Sequence, residues 1–154
     1  MSEWVRAKGT LKFMDPVPDR EDPDLDELMG RECGLDDAPM VWIKGDGYTC
    51  LHPGYMPLGY EGSLKRHTEK TADEEGRPVY EIGIEGDLRC CYDKNEIGKW
   101  FIDICGKLLC RGYIILEADI ESTCTCDSDG FWDRASRWHL ENGVMKKDDF
   151  SCLW

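Results

Sequence analysis

Several things are scarce or missing in this 154-residue chain. No run of about 18 apolar residues occurs, so no segment reads as a membrane span. The first residues, MSEWVRAKGTLKF, carry no apolar stretch of the secretory kind. Positive charge is in short supply: 19 Lys and Arg stand against 32 Asp and Glu, a formal net charge of −13. That excludes a general phosphate-backbone binder, which needs a basic footprint, and equally a protein held on anionic lipid. Only three histidines are present, His52, His67 and His139, and they are scattered. The sequence has no phosphate loop, no dinucleotide fingerprint, no G-x-S-x-G and no H-E-x-x-H. It has no internal repeat. The expectation is a non-enzymatic, cytoplasmic protein without a cofactor.

What is present is a folded domain. Hydrophobic residues make up 41% and aromatics 10%, too much for a disordered acidic tail. The length suits one domain, residues 1–154, with one core.

Residues 4–13 alternate. Val5, Ala7, Leu11 and Phe13 share one face, and Arg6, Lys8, Thr10 and Lys12 the other, which predicts a half-buried strand with a basic outer face. Residues 15–27 hold three prolines and seven acids around a single Arg20 and read as a surface loop. A short helix is predicted from near Pro23, with Asp22 as N-cap, Leu25, Leu28 and Met29 buried, and Gly30 or Gly34 at its end. Met40–Ile43 reads as a short apolar strand. Residues 51–62 form a long aromatic loop, of the kind that carries binding surfaces. Residues 63–70 and Val79–Glu85 read as a hairpin with an acidic tip, its first strand near a sheet edge.

The clearest helix spans 94–109. Asp93 and Glu96 form a capping pair, and Ile97, Phe101, Ile104, Cys105 and Leu108 form its apolar stripe. Gly98 and Gly106 weaken it and suggest close packing on a sheet. In 112–121, Ile114, Leu116, Ala118 and Ile120 alternate against Tyr113, Ile115, Glu117, Asp119 and Glu121, a strand. Asn142-Gly143 predicts a C-terminal hairpin over 135–148. The sum is an α+β protein: about six strands, mostly antiparallel, with one main helix on one face. The strand–helix–strand unit at 79–121 hints at a ferredoxin-like element.

Candidate chemistry is thin. Asp22-x-Asp24-x-Asp26 resembles the start of a calcium loop, but its sixth and twelfth positions are Glu27 and Cys33, where Gly and Glu are needed. Nine cysteines with no export signal suggest free thiols in a reducing compartment. Cys90-Cys91 and Cys124-x-Cys126 are weak metal or redox candidates, lacking the usual zinc knuckle spacing. A Cys50/His52 nucleophile pair is a remote candidate. Trp132, placed in a loop, and Tyr55 and Tyr60 are candidate contact anchors, since Trp and Tyr dominate interface energetics.

Charge is the stronger lead. Asp19, Glu21, Asp22, Asp24, Asp26 and Glu27 form one acidic block, Asp73, Glu74 and Glu75 a second, and Glu117, Asp119 and Glu121 a third. Dense carboxylates can occupy a basic groove of another protein and steer association. The expected partner is a basic nucleic-acid-handling protein, with no direct contact to nucleic acid or membrane. An exposed strand edge is compatible with a homodimer.

The segments MPLGYEGSLK, YEIGIEGDLRCCYDKNEIGKWFIDIC and GYIILEADIE, within Met56–Glu121, resemble small acidic accessory proteins of phages and integrative elements of Firmicutes. The resemblance rests on the E-G-S-L, G-D-L-R and helix signatures. It implies an accessory, anti-defence role of the anti-CRISPR kind and assigns no active site. Two other readings stand beside it: an immunity protein for a toxin nuclease, and a thiol-rich metal or redox module.

Overall fold

A computed structural model describes residues 4–45, 49–89, 95–125 and 132–151. In chain order they form β1 (Trp4–Met14), α1 (Leu25–Met29), α2 (Ala38–Lys44), β2 (Lys65–Ala72), β3 (Pro78–Arg89), α3 (Asn95–Cys110), β4 (Ile114–Thr125), β5 (Trp132–Glu141) and β6 (Val144–Ser151). The strands make one six-stranded sheet in the order β2-β3-β1-β4-β5-β6. Every neighbouring pair is antiparallel. This is an α+β protein with the polar strand β2 at one edge, as its sequence predicts.

β3 and β4 both run antiparallel to β1, which lies between them. They are therefore parallel to each other and joined by α3, a split strand–helix–strand unit. α3 packs chiefly on β4. Its buried side is the predicted stripe, Ile97, Phe101, Ile104, Cys105 and Leu108, together with Gly98. These meet the inward residues of the sheet, among them Val5, Ala7, Leu11, Phe13, Ile82, Ile84, Ile120 and Trp138. Burial pushes the Cys105 thiol up to about 11. Gly98 is needed for the close approach: a Cβ there would fall 2.0 Å from the Trp138 ring. Gly106 has open space around it, so close packing accounts for only one of the two helical glycines.

The C-terminal hairpin forms on Asn142-Gly143, with φ of 52° and 79°, the left-handed pair that the tight primed turn requires. The Pro-rich loop after β1 leads into α1, capped by Asp24 rather than Asp22. The Asp24 side chain accepts from the Asp26 and Glu27 N–H groups at 3.1 and 3.3 Å. Asp93 of the predicted capping pair at α3 lies outside the described residues, while Glu96 turns to Thr49 and Cys50.

Two readings are corrected. Met40–Ile43 is not a strand; it lies in helix α2. Four consecutive apolar residues carry no period of their own. Pro39 near the start and Gly45 at the end bound a helical turn that buries Ala38 and Trp42 and leaves Met40 and Ile43 outside. In β4 the predicted alternation breaks at a bulge. Lys12 pairs with Glu117 and Phe13 with Ile115, so Leu116 has no partner. Ala118 and Ile120 face in as expected, but Ile114 and Leu116 are 44% and 50% exposed and Tyr113 is buried instead. A smaller adjustment concerns Trp132, which begins β5 rather than lying in a loop.

Candidate functional site

The helix-covered face of the sheet is the core. The opposite face carries the outward residues of every strand and has no layer of described structure over it. It was the acidic blocks, however, that the sequence singled out, and the structure sorts them sharply.

Most of the first block is engaged within the molecule. Asp22 accepts from Lys70 Nζ at 2.7 Å and from the Tyr80 hydroxyl at 2.6 Å. Lys70 and then Tyr80 hold the Asp22 carboxyl below the usual range. Burial, and then Asp22, push the Tyr80 phenol up. Asp24 is the α1 cap. Asp26 pairs with Arg66 of β2. Glu27 takes both terminal nitrogens of Arg111 at 2.6 and 2.7 Å, which lowers its pKa. Asp15, wholly buried, accepts from Arg20 and from the Val17 N–H. Arg20 also lies 4.1 Å from the Tyr113 ring centre and donates to the Arg111 carbonyl. The acidic segment is thus a belt buckled to β2 and to the end of α3.

Asp19 and Glu21 differ. Both are exposed and make no ion pair among the described residues. Asp19 sits at φ 60°, turning the chain beside the second block. The Asp15 N–H donates to the Pro78 carbonyl at 3.0 Å, bringing the loop against the β2–β3 turn. A cleft of about 430 Å³ between them is lined by Asp19 and Glu75. Asp73 is spent on the turn itself, accepting from the Glu75 and Arg77 N–H groups and from Arg77 Nε. Glu74 is exposed and unpaired among the described residues, and Glu75 lies 3.6 Å from Arg77. Asp19 and Glu75, more than fifty residues apart in the chain, therefore share one end of the sheet, and Glu21 and Glu74, close to them in sequence, are exposed.

The third block lies elsewhere, on the open sheet face. Across the sheet, in register, run Lys65, Glu85, Lys8, Glu121, Arg137 and Asp148, one from each strand and alternating in sign. Asp119 is bound by Arg137 Nε at 2.9 Å, and Arg6 Nε binds Asp87 at 2.9 Å. Glu117 faces Lys12, and Glu121 faces Lys8. The block read as acidic is interleaved with the basic outer face of β1.

The aromatic loop at 51–62 is largely a cover for the core. Met56 and Leu58 are fully buried, and the Tyr60 N–H donates to the Arg89 carbonyl at 2.9 Å. Tyr55 is half-buried under the Arg31 guanidinium, 4.9 Å away. Tyr60 is exposed. The side chain of Trp132 lies outside the described residues.

Among the cysteines, Cys33, Cys50, Cys105 and Cys110 are thiols outside any disulfide, as expected. Cys124 is disulfide-bonded, which overturns that reading at this position. Pairing depends on how Cβ atoms approach in space, which spacing along the chain does not reveal. A disulfide sulfur is no thiolate ligand, so Cys124 drops out as a metal candidate. Cys90, Cys91 and Cys126 lie outside the described residues. Among the described residues no group of three or more His, Cys, Asp or Glu is arranged to hold a metal ion. The Cys50 thiol is buried and sits 3.2 Å from the Glu96 carboxylate. Among the described residues no helix is long and apolar enough to cross a membrane.

No protein-family model, no curated protein and no solved structure matches the chain.

Proposed function

We propose that this protein is a non-enzymatic inhibitor of the anti-defence, anti-CRISPR-like kind, which docks its acidic end on the basic groove of a nucleic-acid-handling protein. The observation that carries the reading is the convergence of Asp19 and Glu75 on one cleft, with Glu21 and Glu74 close by in sequence and projecting. The other acids of the two blocks are engaged by cations, by a helix end or by a turn; Asp19, Glu21 and Glu74 make no ion pair among the described residues, and Glu75 has only a long one, 3.6 Å to Arg77. Carboxylates presented by a loop and a turn at one end of the sheet attract a basic surface. The net charge of −13 adds long-range steering.

The experiment is capture from nuclease-treated host lysate by wild type and by the D19K/E21K/E74K variant, followed by kinetics on the captured protein. The expected partner is a nucleic-acid-binding protein that is released by added duplex or by high salt. Charge reversal slows its association by about tenfold. A partner that binds the variant as fast as wild type, or that nucleic acid fails to displace, ends the proposal.

A further inference from the structure

The open face of the sheet has a charge pattern with an unusual symmetry. The row Lys65, Glu85, Lys8, Glu121, Arg137, Asp148 alternates over six strands, and its midpoint falls between β1 and β4. An alternating row of even length is complementary to its own reverse. A second copy turned over about a two-fold axis parallel to β1 and β4 sets Lys8 over the second copy's Glu121 and Glu85 over the second copy's Arg137. Two pleat repeats along, beyond Thr10 and Asp119, Lys12 and Glu117 are also in register across β1 and β4. The same axis sets each over its opposite in the second copy.

The ion pairs present in the single chain sharpen the point. Several charges of the face are matched within the molecule: Arg6 with Asp87, Arg137 with Asp119, and His139 with Asp148, while Lys65 Nζ donates to the Cys33 carbonyl. Lys8, Lys12, Glu117 and Glu121, which surround the axis, make no ion pair within 4 Å among the described residues. They are cross-strand neighbours with opposite charge, and Lys8, Glu117 and Glu121 line a shallow depression of about 620 Å³.

We propose that this open face is the contact between two copies of the chain, stacked face to face about that axis. Six strands at about 4.8 Å spacing and about eight residues at 3.4 Å rise give a face of roughly 800 Å² per copy, the size of a standard interface. Stacked sheets cross at about −30°, so registry is kept near the axis, where these four residues stand, and lost at the corners. The contact is wet and charged, so the dimer weakens with salt. It does not depend on the acidic-end reading. It would leave the two acidic ends at the same end of the assembly, since the axis preserves strand direction, and so make any docking through them bivalent.

Sedimentation velocity on the full chain tests this with a charge swap. The K8E/K12E variant has an all-acidic centre and the E117K/E121K variant an all-basic one. Each alone loses the dimer, with Kd raised at least tenfold. An equimolar mixture recovers it, because every pair is again opposite in sign. Circular dichroism and thermal melting of each variant confirm that these surface substitutions leave the fold intact. A wild type that stays monomeric at the highest soluble concentration overturns the proposal. So does a dimer that both variants retain, or a mixture of folded variants that stays monomeric.

Discussion

The carboxylate of Asp15 is fully buried and held by Arg20 through two hydrogen bonds of 2.7 and 2.8 Å, while Arg20 remains 28% exposed. The pair closes the acidic belt where it leaves β1. Removing the cation strands a buried anion. Arg20→Ala is expected to cost about 2–3 kcal/mol in urea unfolding, whereas adding Asp15→Asn to it costs little more, because the stranded charge is then gone. Two independent, additive losses would contradict the pairing.

The same belt sets the response to acid. Arg20 lowers the pKa of Asp15, Lys70 and Tyr80 that of Asp22, and Arg111 that of Glu27. A carboxyl whose folded pKa is depressed stabilises the fold above its unfolded value and loses that contribution as pH falls through the folded one. Stability should therefore be flat down to about pH 5 and fall below about pH 4. In Arg20→Ala the acid limb should be shallower. Unfolding free energy measured against pH checks both.

The two helical glycines should respond oppositely to one methyl group. Gly98→Ala drives a Cβ into Trp138 and should cost about 1–3 kcal/mol despite the better helix propensity. Gly106→Ala meets nothing within 4 Å and should stabilise by up to about 1 kcal/mol. Thermal melts of the two variants decide it.

The bulge in β4 makes a contrast of its own. Leu116 is half exposed and Ile120 fully buried, though both belong to the same alternating set in sequence. Leu116→Ala should change stability by no more than about 0.5 kcal/mol, and Ile120→Ala should lose about 2–5 kcal/mol. Similar losses at both positions would place Leu116 in the core.

Much of the architecture is legible in the sequence. The period-two pattern of β1, the stripe of α3, the hairpin at Asn142-Gly143 and the polar edge strand β2 are local signals, and each was met. The failures share a cause. Met40–Ile43 was too short to show a period, and the bulge at Leu116 arises from how β4 meets β1, a property of two strands. Asp22 was outcompeted as a cap by Asp24, two residues on.

The acidic blocks were legible as charge and illegible as surface. Composition determined that the chain is strongly anionic and that it folds, and residue order that its elements are strands with one main helix. Which carboxylates are available depended on where Arg20, Arg66, Lys70, Arg111 and Arg137 came to lie, each at least five residues from its acid and most much farther. Sequence fixes the number of charges, because each residue carries its own. Only the tertiary structure decides which of them are neutralised, because Coulomb attraction acts through space and falls with distance between atoms, not between positions in a chain.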